Sequence, residues 1–199
     1  LYPDQFIPLA EERGLINSLG FVVAHMAASV RSRLHRRDGH VDDLFVAINV
    51  SVLQLADRNF LPRLSAIVDT AGVPPAQIAI EITESAVLHR DSPAHRALHR
   101  LSEMGFPLFV DDFGAGYSSL SHLIHTPVRG VKIDKVFMPA GPQDTRRQAM
   151  FRSITRMLRD MGVLVIAEGV ETEFQRDFAT ASGADLLQGY AIGRPHAIA

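Results

Sequence analysis

Pro107-Leu108-Phe109-Val110-Asp111-Asp112-Phe113-Gly114-Ala115-Gly116-Tyr117-Ser118-Ser119-Leu120 carries a short apolar run into two adjacent carboxylates and then into a glycine-rich turn. The apolar part, Pro107 to Val110, reads as a strand, and Gly114 and Gly116 permit backbone geometry that other residues resist. Side chains alternate along a strand, so Asp111 and Asp112 point the same way only if the strand is ending there. The reading therefore puts the pair at a strand-to-loop junction, where active sites of parallel α/β folds lie. Adjacent acids before a glycine also occur in ordinary turns, so a chemical role has to be argued from what stands around them.

Outward from this run the pattern repeats. Further strands are expected at Leu44–Val50, Ile78–Thr83, Val128–Ile133, Val163–Ala167 and Asp185–Gln188, and helices at Pro3–Arg13, Ile16–Arg37 and between the strands. Apolar strands alternating with helices predict an α/β chain with a parallel sheet, either doubly wound or closed as a barrel. Six strands are visible where a closed (β/α) barrel needs about eight. The expectation is an open sheet or an incomplete barrel.

The 199 residues, 47% of them hydrophobic, suffice for one core, read as one domain over residues 1–199. Twenty basic and 22 acidic residues leave a net charge of −2, without the basic footprint of a duplex-binding protein or of one that lies on an anionic membrane. The absence of cysteine excludes disulfides, thiolate nucleophiles and sulfur-ligated metals, and it fits a reducing, cytoplasmic setting. The apolar run Phe21–Val30 is too short to cross a membrane and is interrupted by His25. The chain opens at Leu1 directly into a helical pattern, so it reads as a piece of something longer.

Each strand runs out into polar groups. These are Asn49, Glu81 with Glu84, Asp111 with Asp112, Lys132 with Asp134, Glu168 and Gln188. In a parallel barrel such ends converge on one face. A ring of carboxylates with an amide oxygen suits hard divalent cations such as Mg²⁺ or Mn²⁺, and two such ions a few ångströms apart can share a carboxylate. The acids would repel a phosphodiester unless cations neutralised them. Lys132 could then steady developing phosphoryl charge or hold the attacking water, with Glu168 as general base.

These residues resemble the EAL-domain family, bacterial phosphodiesterases and receptors for cyclic di-GMP. The resemblance runs through Pro3–Glu12, Asn49-Val50-Ser51, Glu81-Ile82-Thr83-Glu84-Ser85, the Asp111–Leu120 run, Lys132-Ile133-Asp134, Ala167–Thr172 and Gln188-Gly189-Tyr190. It implies a modified (β/α)8 TIM-type barrel whose first two strands, with the Glu-Ala-Leu signature, are missing, and the metal-dependent opening of cyclic di-GMP by water to linear pGpG. It makes Asn49, Glu81, Asp111, Asp112 and Glu168 metal ligands of a two-metal Mg²⁺ or Mn²⁺ site. Glu168, Lys132 and Gln188 become the catalytic set, while Glu84, Asp134, Gly114, Tyr117 and Pro195 line the substrate or belong to the loop after Asp112. The same resemblance implies a homodimer, flanking sensory or cyclase domains, and a parent protein that is cytoplasmic or membrane-anchored. The alternative it leaves open is a receptor that binds cyclic di-GMP without cutting it.

Other polar groups receive plainer readings. His95 with His99 and His122 with His125 share helix faces, but no carboxylate completes a site with either pair, so all four are expected as exposed helix residues. The basic run Arg31–Arg37 is expected to be a solvated helix face.

Overall fold

A computed structural model describes residues 2–38, 44–87, 92–114 and 123–195. The chain divides into two compact units, residues 1–108 with 120–127, and residues 109–119 with 128–199.

In the first unit, α1 (Pro3–Glu12) and α2 (Ile16–Asp38) lead into β1 (Val46–Asn49). Two short helices follow, α3 (Val52–Ala56) and α4 (Phe60–Thr70), then β2 (Ile78–Thr83) and α5 (Pro93–Glu103). Strands β1 and β2 pair in parallel, with Val46 opposite Ile78 and Asn49 opposite Glu81. Ser51 starts α3 by accepting from the Leu53 amide, and Ser92 starts α5 by accepting from the His95 amide at 3.0 Å. Each hydroxyl satisfies an amide that the first helical turn leaves open. The Ser51 hydroxyl also donates to Glu11, tying α1 to the end of β1.

Two expectations fail in this unit. His95 is buried, 7% exposed, and its ring lies 4.8 Å from that of His99. It shares the inward stripe of α5 with Ala94, Leu98 and Leu101, because the apolar spacing places that face of the helix against the core. Arg31 is fully buried, and its Nε donates to the Leu44 carbonyl at 2.9 Å. The basic run therefore begins inside the core, where the guanidinium satisfies backbone as the chain approaches β1. His125 is exposed as expected, and His122 lies outside the described residues.

The second unit holds β3 (Leu108–Phe113, all but its first residue), β4 (Gly130–Ile133), β5 (Leu164–Ala167) and β6 (Leu186–Leu187). Each is parallel to the next in chain order. Helices α6 (Thr145–Asp160) and α7 (Glu173–Ala181) stand between the later strands. Asp144 caps α6, and Thr172 caps α7 in a reciprocal box with Gln175. Val131 and Ile133 are fully buried among Val110, Val165 and Ala167, as strands covered on both faces require. Gly130 is needed where it stands, since a Cβ there would come within 2.3 Å of the Phe109 ring.

Each predicted strand forms, with one difference that matters for the site. β3 does not end before the acids but continues through Asp111 and Asp112 to Phe113.

Candidate metal centre

Strand β3 holds register with β4 at Phe109 opposite Gly130 and Val110 opposite Val131, then regains it at Phe113 opposite Ile133. Two residues, Asp111 and Asp112, therefore face the single residue Lys132. This is a β-bulge, and Asp112 takes its left-handed conformation, with φ of +52°. Aspartate tolerates that region better than most residues. The bulge, rather than the end of the strand, brings neighbouring carboxylates to one place, as bulges beside active sites often do.

Lys132 occupies the pocket this creates. Its side chain is 5% exposed, and its Nζ lies 2.8 Å from Asp111 Oδ1 and 2.8 Å from Glu168 Oε1. Glu168 immediately follows β5, and its amide donates to the Ile133 carbonyl, which fixes it beside the end of β4. Asp111, Asp112 and Glu168 each bring a carboxylate oxygen within 4.8 Å of the others. Three anions face one ammonium. Burial pushes the Glu168 carboxyl above its ordinary range, Lys132 opposes the shift by hydrogen bond and charge, and Asp111 and Asp112 add to it. Asp112 is also raised, by burial first, then by repulsion from Asp111 and Asp134, with Lys132 pulling the other way.

A cavity of about 250 Å³ opens beside the cluster, lined by Asp112, Asp134, Glu168 and Gln188 together with Lys135, Gly169 and Gly189. Asp134 caps the short turn Lys135–Phe137 by accepting from the Val136 amide at 2.6 Å, and its carboxylate adds to the negative charge around Asp112. A larger hollow of about 820 Å³, in the first unit, is walled by apolar residues of α1 and α2 such as Phe6, Leu9 and Val22. It offers Arg13 and Ser18 but no carboxylate, so the chemistry belongs to the smaller cavity.

The structure thus brings Asp111, Asp112, Lys132, Asp134, Glu168 and Gln188 together in one unit. Asn49 and Glu81 stand opposite each other across β1 and β2 in the first unit, and Glu84 opens the turn that follows β2. Gly114 has φ of +91°, and a Cβ there would lie 2.4 Å from the Phe137 ring. Pro195 is exposed near the end of the described chain, and Tyr117 lies outside the described residues.

Three cavity residues were not singled out from the sequence. Gly169 has φ of +64° and would place a Cβ 2.4 Å from Lys135 Cβ, and a Cβ on Gly189 would lie 2.3 Å from the Val170 carbonyl. Both glycines directly follow a site residue, in Glu168-Gly169 and Gln188-Gly189, and that adjacency was the available signal. Nothing in the sequence marked Lys135.

The EAL domain family matches residues 1–195. The chain belongs to this family. The EAL chain is 36% identical over 193 residues to the bifunctional diguanylate cyclase/cyclic di-GMP phosphodiesterase MucR of Pseudomonas aeruginosa, covering 97% of this chain and 28% of that protein. It is 34% identical over 194 residues to the cyclic di-GMP phosphodiesterase PdeR of Escherichia coli, covering 97% of this chain and 29% of that one. The EAL chain thus spans just over a quarter of the length of these two relatives. Among solved structures it resembles the PaMucR phosphodiesterase in complex with c-di-GMP, with a TM-score of 0.88 at 36% identity, covering 98% of this chain and 78% of that one. The FimX EAL domain from Pseudomonas aeruginosa bound to c-di-GMP shares the fold, with a TM-score of 0.87 at 22% identity over 98% of this chain and 77% of that one. These likenesses bear out the α/β, barrel-type fold class of the EAL domain.

Proposed function

We propose that the chain acts as a metal-dependent phosphodiesterase domain that hydrolyses cyclic di-GMP to linear pGpG. The observation that carries this reading is the bulge that sets Asp111 and Asp112 against Lys132, with Glu168 on the amine's other side. Membership of the EAL family and the names of MucR and PdeR support the choice of substrate.

The donor set fits a hard divalent cation, Mg²⁺ or Mn²⁺. All three carboxylates offer oxygen, their ligand atoms lie within 4.8 Å of one another, and two of the acids are held above their ordinary range by burial and by repulsion from their acidic neighbours. Asp111, Asp112 and Glu168 would hold the metal, and Asn49 and Glu81 are proposed as the further ligands of a two-metal arrangement. A bound cation would neutralise the acids toward a phosphodiester and acidify a water. Lys132 fixes the spacing of Asp111 and Glu168 and leaves a positive charge beside the reacting phosphate. Glu168, raised by burial, is suited to accept a proton from the attacking water. Gln188 and Asp134 line the cavity in which one part of the dinucleotide would rest, and Gly114, Tyr117 and Pro195, with Glu84, are assigned to the loop and the substrate rim.

The protein is further proposed to work as a homodimer beside sensory or cyclase domains, with residues 1–199 as one EAL-type unit in the cytoplasm. The cyclase named together with phosphodiesterase in MucR supports the flanking domain. Among the described residues no helix is long and apolar enough to cross a membrane. The deciding experiment follows cyclic di-GMP and pGpG by chromatography with Mn²⁺ for the wild type and Glu168→Ala. The wild type should yield pGpG, and Glu168→Ala should bind the nucleotide and release none. Binding without product in both would make the protein a receptor instead.

A further inference from the structure

Lys132 lends its positive charge from between Asp111 and Glu168, which leaves direct contact with a substrate phosphate to another cation. The Lys132 amine is already engaged by two carboxylates at 2.8 Å and its side chain is 5% exposed. Lys135, three residues on, lines the same cavity and is exposed, and no ion pair joins it to a carboxylate among the described residues.

Its position is built by the fold. The turn Lys135–Phe137 starts on the Asp134 cap and is wedged between two glycines that follow the acids of the cluster. Phe137 lies where a Cβ of Gly114 would be, and Lys135 Cβ lies where a Cβ of Gly169 would be. The root of the Lys135 side chain is therefore seated against the backbone just after Glu168, while its flexible stem leaves the ammonium free to meet a ligand. The rest of the lining is acidic at Asp112, Asp134 and Glu168 and neutral at Gln188, Gly169 and Gly189. Among the described residues that line this cavity, Lys135 is the one side-chain cation an entering anion would meet. Lysine suits a phosphate oxygen as a mobile point charge, without the fixed fork of arginine.

We infer that Lys135 is a substrate-positioning residue whose ammonium binds a phosphate of the cyclic dinucleotide at the mouth of the metal centre. This rests on the phosphodiester reading of the same site. The contact would be made in the ground state as well as during reaction, so it should contribute to affinity and leave the chemical step unchanged.

The test uses the intact protein with Mn²⁺ and compares wild type, Lys135→Ala and Lys135→Arg by steady-state turnover of cyclic di-GMP and by calorimetric binding. Lys135→Ala should raise KM, or Kd, about tenfold, as loss of one charged contact predicts, with kcat within about twofold. Lys135→Arg should recover most of the affinity, and added salt should weaken binding less in Lys135→Ala than in the wild type. Unchanged affinity in Lys135→Ala, beside a wild type that binds, would overturn the assignment and leave the phosphodiester reading standing. An equal loss in Lys135→Ala and Lys135→Arg would also overturn it, because the effect would then be one of shape. A wild type that neither binds nor cleaves cyclic di-GMP would overturn the underlying reading itself.

Discussion

Replacing Lys132 with methionine keeps the length and apolar stem of the side chain and removes its charge from between Asp111 and Glu168. Each 2.8 Å contact carries a gross attraction of about 6 kcal/mol at an effective dielectric of roughly 20. Burying the ammonium consumes much of that. What the substitution exposes is the other half of the balance: two largely buried carboxylates and Asp112 left without a counter-charge. Breaking a buried pair from one side costs about 3–5 kcal/mol. For a chain of this size, roughly 2–4 °C of Tm accompanies each kcal/mol, so metal-free Lys132→Met should melt roughly 6–20 °C below the wild type. Mn²⁺ should then restore more stability to the variant than it adds to the wild type, because the cation replaces a charge that only the variant lacks. The assay is calorimetric melting with and without Mn²⁺. A metal-free Lys132→Met that melts with the wild type would refute the claim that this amine holds the acid cluster together.

Three further outcomes follow from the same geometry. Asp112→Asn should melt within a few degrees of the wild type while losing Mn²⁺ affinity, since asparagine accepts a positive φ, whereas Asp112→Val should be destabilised by at least about 1 kcal/mol; equal melting of the two would remove the bulge from the argument. Gly114→Ala should destabilise the second unit, because its Cβ would meet the Phe137 ring at 2.4 Å, and Phe137→Leu should recover part of the loss in thermal melts of the double variant. Because Asp112 and Glu168 titrate above the ordinary carboxylate range, protons compete with the cation there. Calorimetry in two buffers should show Mn²⁺ affinity falling as pH is lowered through that range, with proton release on binding. The metal-free fold, which binds the extra protons, should in turn lose stability as pH rises through it.

The strands and the acids at their ends were legible because parallel strands buried on both faces must be apolar, and a polar residue at their exit is conspicuous. Ile78–Thr83 matches its expected bounds for that reason. β3 ends later than alternation predicts because alternation is a rule for regular strands, and nothing in Val110-Asp111-Asp112-Phe113 announces that two residues will share one partner across the ladder. His95 and Arg31 were expected in solvent on the strength of residue type, whereas helix phase places each inward. Lys135 carries no mark in the sequence because its significance lies in what it packs against, a glycine more than thirty positions away. The family resemblance supplied the substrate, which no spacing in the chain could have named.

Phosphodiester hydrolysis is proposed to depend on a divalent cation held by Asp111, Asp112 and Glu168. The most direct test strips the intact protein with a chelator, dialyses it, and measures pGpG released from cyclic di-GMP before and after Mn²⁺ is returned. Turnover should be lost on stripping, recover with Mn²⁺ in the wild type, and fail to recover in Asp111→Asn. Turnover that persists undiminished in the stripped protein would contradict it.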